Sequence, residues 1–170
     1  MQDQRGYFIP NLRRENFAVY ENGILQKDVT VDVEHAPVSL ALLLEFGGRA
    51  PSVSRILGQE ISAAGHLLLD VIGPNDQLEI IKYSDKVDKL ADFPKGREVL
   101  ERLSLALGTP DVSETNLYDA VISTAQQTKP IAGRKAILLI SSGIDTFSKA
   151  SYQEALKIAA DSGTPIYAIS

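Results

Sequence analysis

The feature that most constrains the fold is Val38-Ser-Leu-Ala-Leu-Leu-Leu44, a nearly unbroken apolar run that ends on the charged Glu45. A strand with one wet face alternates apolar and polar residues, whereas an unbroken run suits a strand buried on both faces of a sheet. Lys135-Ala-Ile-Leu-Leu-Ile140 repeats the signal and predicts a second buried strand. Between them, Ser52 opens a helical stretch with Val53, Ile56, Leu57, Ile61, Ala64, Leu68 and Val71 at helical spacing, closed by Gly73-Pro74. Gln77–Tyr83 and Val87–Phe93 read as strands. The turn Ser84-Asp85-Lys86 between them is short enough to force an antiparallel pair, which places the second at a sheet edge.

A short helix over Arg97–Leu105 and a longer one over Leu117–Gln127, burying Leu117, Val121 and Ala125, follow from the apolar spacing. Ser151 with Glu154 three residues on is a capping-box pattern. It opens a helix through Ala160 that Ser162-Gly163 ends, ahead of a last strand over Pro165–Ile169. Strands alternating with helices imply an α/β fold: a Rossmann-like, doubly wound, mostly parallel sheet with helices on both faces and one antiparallel edge strand. Ahead of it, Asn16–Tyr20, Ile24–Gln26 and Val29–Val33 are β-prone runs, and Asn22-Gly23 supplies the positive φ angles of a tight hairpin turn. The expected organisation is an N-terminal β-hairpin extension over residues 1–36 and an α/β domain over 37–170.

The net charge of −5 comes without any basic block, which argues against nucleic acid, since phosphate binding needs clustered Lys and Arg. No apolar run approaches the roughly 20 residues of a membrane span, and MQDQRGYFIP lacks the basic end and apolar stretch of a signal peptide, so no membrane insertion is expected. With no cysteine, disulfides, thiol chemistry and thiolate-bound metals are all ruled out.

Four stretches together resemble one family. They are Asn16-Phe-Ala-Val-Tyr-Glu-Asn-Gly-Ile-Leu-Gln-Lys27, Pro37-Val-Ser-Leu-Ala-Leu-Leu-Leu-Glu45, Thr115-Asn-Leu-Tyr-Asp-Ala120 and Lys135-Ala-Ile-Leu-Leu-Ile-Ser-Ser-Gly-Ile-Asp145. In this order they resemble von Willebrand factor type A domains, more narrowly the bacterial VWFA-related proteins. The resemblance implies a central first strand, an antiparallel edge strand and a ligand site at the carboxyl ends of the strands, the usual place in open α/β sheets. It also implies an adhesion-type role and an exported, extracytoplasmic setting, and a further helix and strand beyond Ser170, so that the domain is expected to be truncated.

The resemblance further implies a divalent ion held by an Asp-x-Ser-x-Ser loop, a Thr in a second loop and an Asp in a third. Here the first loop reads Glu45-Phe46-Gly47-Gly48-Arg49, so the Asp has become Glu45 and the two Ser have become Gly47 and Arg49. Thr115 matches the Thr, while the third-loop Asp position is held by Ser142, with Asp145 three residues on. Hard cations want several oxygen ligands, and a dication facing Glu45, Thr115 and Ser142 with a fixed cation nearby is poorly neutralised. No cofactor is therefore expected and Mg²⁺ is disfavoured; if an ion binds, those three residues are its ligands.

Several of these residues have two readings. The Arg49 guanidinium either supplies the ion's positive charge, pairing with Glu45 or a partner carboxylate, or simply points into water. Thr115 is a rim residue, the N-cap of the helix starting near Leu117, or both. Asp145 reads as a turn or cap residue or as a rim contact. Glu45, a charge ending an apolar strand, needs solvent or a partner.

Enzyme readings fail on pattern. Ser141-Ser142-Gly143 is no nucleophile elbow, no His follows it, and His35 and His66 fall in a linker and on a polar helix face. Gly47-Gly48 lacks the spacing of a dinucleotide fingerprint. The expected function is non-enzymatic: a module binding a protein partner at a rim of Glu45, Gly47, Arg49, Thr115, Ser142 and Asp145. The alternatives are a weakly Mg²⁺-dependent adhesion domain or a purely structural module of a larger exported protein.

Overall fold

A computed structural model of the chain describes residues 5, 9, 12–27, 29–30, 36–47, 65, 67–107 and 113–170. The chain divides into two compact units, Met1–Ala36 and Pro37–Ser170.

In the first unit the described residues form a 3₁₀ turn, Arg14–Asn16, and a minimal hairpin of β1 (Tyr20–Glu21) and β2 (Ile24–Leu25). Tyr20 pairs with Leu25 and Glu21 with Ile24 across a turn in which Asn22 (φ 51°) and Gly23 (φ 80°) are both left-handed. That is the conformation a two-residue hairpin loop demands. The β runs expected over Asn16–Tyr20 and Val29–Val33 are shorter or absent. Asn16 belongs to the 3₁₀ turn, residues 17–19 are not in a strand, and neither are Val29 and Thr30; residues 31–33 lie outside the described residues. All four paired residues are exposed, so there is no buried face here to extend the ladder.

In the second unit, β3 (Val38–Glu45), β4 (Gln77–Tyr83), β5 (Val87–Ala91), β6 (Arg134–Ile140) and β7 (Ile166–Ile169) form one sheet in the order β5-β4-β3-β6-β7. Strand β3 is central and runs parallel to β4 and β6, β7 is parallel to β6, and β5 is the antiparallel edge. The helices are α1 (Gly96–Leu100), α2 (Leu103–Leu107), α3 (Leu117–Thr128) and α4 (Tyr152–Ser162), with residues 67–71 also helical. The helix expected over Arg97–Leu105 is thus two short helices.

Alternation along β3 explains its run of leucines. Leu42 and Leu44 meet Leu78, Ile80, Ile72, Leu100 and Leu103 on one face. Ala41 and Leu43 meet Ile81, Tyr83, Ile137 and the α3 residues Leu117, Ala120 and Ala125 on the other. Both faces are dry, which is why no polar residue interrupts the run. On the first face Leu68 packs against the core but Val71, expected to be buried, is 80% exposed and its neighbour Ile72 is buried instead. Val53 to Ala64 of the expected helix, and His66, lie outside the described residues. Ser151 does cap α4, accepting from the Glu154 amide at 3.2 Å, and Gly163 closes it at a left-handed φ of 63°.

Candidate functional site

Strand alternation puts Glu45 on the α3 face at the carboxyl end of the central strand, opposite Tyr83 in the β4 register. Glu45 is only 4% exposed, so its carboxylate must find donors within the protein. It finds them at the end of β6. Oε2 accepts from the Ser142 amide (2.7 Å) and the Ser141 hydroxyl (2.8 Å), and the Ser142 hydroxyl lies 2.8 Å from Oε1 and 2.9 Å from Oε2. The buried Tyr83 hydroxyl lies 3.3 Å from Oε2 and donates to Ser141 Oγ at 2.7 Å, where the Gly143 amide also donates at 2.9 Å. Ser141 thus accepts twice and donates once, and is saturated. Burial, opposed in part by the Ser141 hydrogen bond and reinforced by the Glu45 charge, holds the Tyr83 hydroxyl well above the ordinary phenol range, so it stays a donor.

The loop over residues 141–150 is pinned to the start of α3. The Thr115 hydroxyl donates to the Ile144 carbonyl (2.8 Å), the Thr115 amide donates to Thr146 Oγ1 (3.0 Å), and the Thr146 and Phe147 amides donate to the Thr115 carbonyl (both 2.9 Å). Asp145 accepts from the Tyr118 amide (3.3 Å) and the Ser148 hydroxyl (2.6 Å), and Ser148 in turn accepts from the Asp119 amide (3.1 Å). Asp119 returns the favour to the loop by accepting from the Lys149 and Ala150 amides, each at 3.0 Å. The reading of Thr115 as the N-cap of α3 is therefore corrected. Asn116 holds that position without a side-chain cap bond, and the free amides of the first turn are satisfied from the loop by Asp145 and Ser148.

Glu45, Gly47, Thr115, Ser142 and Asp145 thus all lie at the carboxyl end of the sheet, but with different roles. Gly47 is buried, and a Cβ there would sit 2.7 Å from both Ser113 Oγ and Ser84 Cβ. Thr115 is 4% exposed and its hydroxyl is committed to Ile144. Asp145 is half-buried and serves the α3 terminus, while Ser142 is exposed. Arg49 lies outside the described residues, as does His35. The sequence reading missed Tyr83 and the role of Ser141. The one available signal was that Glu45 and Tyr83 each end a buried strand in register.

A divalent ion fits this donor set poorly. Among the described residues, Glu45 is the carboxylate that the strand-end hydroxyls hold, and its oxygens already accept from serine donors. Asp145 accepts from the Tyr118 amide of α3, and among the described residues no group of three or more His, Cys, Asp or Glu side chains is placed to hold a metal. Mg²⁺ asks for near-octahedral oxygen coordination, which these groups do not supply.

An open, mostly parallel α/β sheet with one antiparallel edge defines the class, a doubly wound fold. More narrowly, this is the von Willebrand factor A-type fold, as comparison with solved structures shows. The vWF domain of the type V pili tip protein Mfa5 from Porphyromonas gingivalis matches with a TM-score of 0.51 at 16% identity, covering 65% of this chain and 39% of that one. Proximal thread matrix protein 1 from the mussel byssus matches with a TM-score of 0.58 at 13% identity over 80% of this chain and 38% of that one, and a second structure of it has a zinc-occupied MIDAS motif. Manganese-loaded TRAP protein of Plasmodium vivax matches with a TM-score of 0.57 at 13% identity over 78% of this chain and 56% of that one. The chain spans about two fifths of the length of the first two. No family profile and no curated protein matches the chain.

Proposed function

We propose that the chain is a non-enzymatic protein-interaction module of adhesion type that meets its partner at the carboxyl-end rim. The observation that carries this reading is the loop over residues 141–150. It is held rigid by the bonds to Thr115, Tyr118 and Asp119, yet it keeps Ile144 and Phe147 in solvent at 59% and 56% exposure. Ordering a loop so as to expose two large apolar side chains brings no gain to the isolated fold. It does serve binding, where pre-organised apolar anchors lose little entropy on docking. Ser142 lies beside them on the same loop. Glu45, Gly47, Thr115 and Asp145 act beneath it as supports, and Arg49 contributes a donor to a partner carboxylate, since Glu45 already has its donors. The similarity to a pilus tip protein and to the pilus adhesin SpaC from Lactobacillus rhamnosus GG supports an extracytoplasmic setting. Among the described residues no helix is long and apolar enough to cross a membrane.

The test is affinity capture from the source organism with the wild-type chain, an Ile144→Asp/Phe147→Asp variant, and a Tyr20→Asp variant in the hairpin as control. A protein retained by the wild type and the control but reduced at least about tenfold by the rim variant, a loss of about 1.4 kcal/mol, supports the reading. Retention of every captured protein by the rim variant overturns it.

A further inference from the structure

We infer that Ser141, Ser142 and Tyr83 form a built-in replacement for a rim cation, a hydrogen-bonded clamp on Glu45 that closes the seat to divalent ions and fixes the rim without them. A cation at such a rim draws the ends of neighbouring strands together by taking oxygens from each. Here the same three strand ends are joined by protons. Glu45 closes β3, Tyr83 closes β4 and Ser141-Ser142 follows β6, and the bonds between them run from 2.7 to 3.3 Å.

The bonds themselves make this a replacement and not a seat waiting for an ion. The donors aimed at Glu45 include a backbone amide, from Ser142, whose N–H has no lone pair to offer Mg²⁺ or Mn²⁺. The Ser141 oxygen, beside Glu45, is filled by the Tyr83 hydroxyl and the Gly143 amide and has no lone pair left for an ion. An ion approaching Glu45 would have to break the bonds that both serines make to it. Ser142 is the position where the resembled family carries an aspartate. As a serine it is a donor to Glu45, where an aspartate would be a second anion and would require the ion.

The inference is independent of which partner the rim binds, and it is tested on the 170-residue chain by thermal unfolding in EDTA and in about 10 mM Mg²⁺ or Mn²⁺. An ion held with a dissociation constant of about 100 µM would raise the midpoint by roughly 5–10 °C. The clamp predicts a change within about 1 °C, and a rise of the larger size overturns it. The Ser142→Ala variant, which keeps the amide donor, is expected to melt roughly 2–4 °C below the wild type with or without ions. A variant midpoint equal to the wild type's in EDTA would show that the hydroxyl holds nothing, and would equally overturn the clamp. Neither readout involves a partner, so failure here leaves the rim-binding reading to its own test.

Discussion

Replacing Ser141 by alanine is the sharpest perturbation of the rim, because one buried hydroxyl serves three groups. Ser141 is 5% exposed. It donates to Glu45 Oε2 at 2.8 Å and accepts from the Tyr83 hydroxyl at 2.7 Å and the Gly143 amide at 2.9 Å. A hydrogen bond to a charged group contributes about 1.5–3 kcal/mol and a neutral one about 0.5–1.5 kcal/mol. Tyr83 has a fallback, since Glu45 Oε2 lies 3.3 Å from its hydroxyl, so part of its loss is recovered. The expected cost of Ser141→Ala is therefore about 3–4 kcal/mol, while Ser142→Ala, at an exposed position where water can replace the hydroxyl, costs about 1 kcal/mol. Equilibrium urea unfolding of both variants beside the wild type gives the two values directly. If Ser141→Ala falls within 1 kcal/mol of the wild type, or the order of the two variants is reversed, the three bonds assigned to Ser141 are not the ones that hold the rim.

Stability should also report on Tyr83. Its folded pKa lies above the unfolded value of about 10, so the folded state keeps a proton that the unfolded state loses. Its contribution is complete below pH 10 and falls as pH rises past it, by about 1.4 kcal/mol at pH 11. Urea midpoints measured between pH 8 and 11 should therefore drop less steeply for Tyr83→Phe than for the wild type, and parallel curves would refute the assignment. Gly47→Ala should cost about 1–3 kcal/mol, because its Cβ would fall 2.7 Å from Ser84 Cβ and 3.1 Å from Ser84 Cα. Ser84 is held on both sides, by its amide to the Lys86 carbonyl and its carbonyl to the Asn116 amide, so it cannot retreat cheaply. An unchanged urea midpoint in Gly47→Ala would contradict the close approach.

The sheet was legible in the sequence because its central strands are buried on both faces, and seven or eight consecutive residues then carry one signal. The hairpin arm was legible only at its turn. Asn22-Gly23 dictates backbone angles locally, but how far a ladder extends depends on whether it has a face to bury, and Tyr20 and Ile24 have none. Val71 and Ile72 show another limit: helical spacing names a stripe of residues, and a helix end that rotates slightly exposes the last of them. At the rim, the sequence flagged Glu45 as a charge in need of a partner. It did not reveal that the partner is a Ser-Ser step almost a hundred residues away, because serines at a strand end are common for many reasons. The cap reading of Thr115 fails for a related cause. Helix capping looks local, yet the oxygens that satisfy α3 come from Asp145 and Ser148 across the loop.

If serine donors occupy the place of an ion at Glu45, manganese has no seat at the rim. The most direct test is a crystal structure of the chain grown in Mn²⁺, with anomalous diffraction recorded at the manganese edge. No anomalous peak is expected at the rim, with Ser141 and Ser142 still within hydrogen-bond distance of the Glu45 carboxylate. A peak about 2.0–2.2 Å from a Glu45 oxygen, with the Ser142 hydroxyl turned toward it as a ligand, would contradict it.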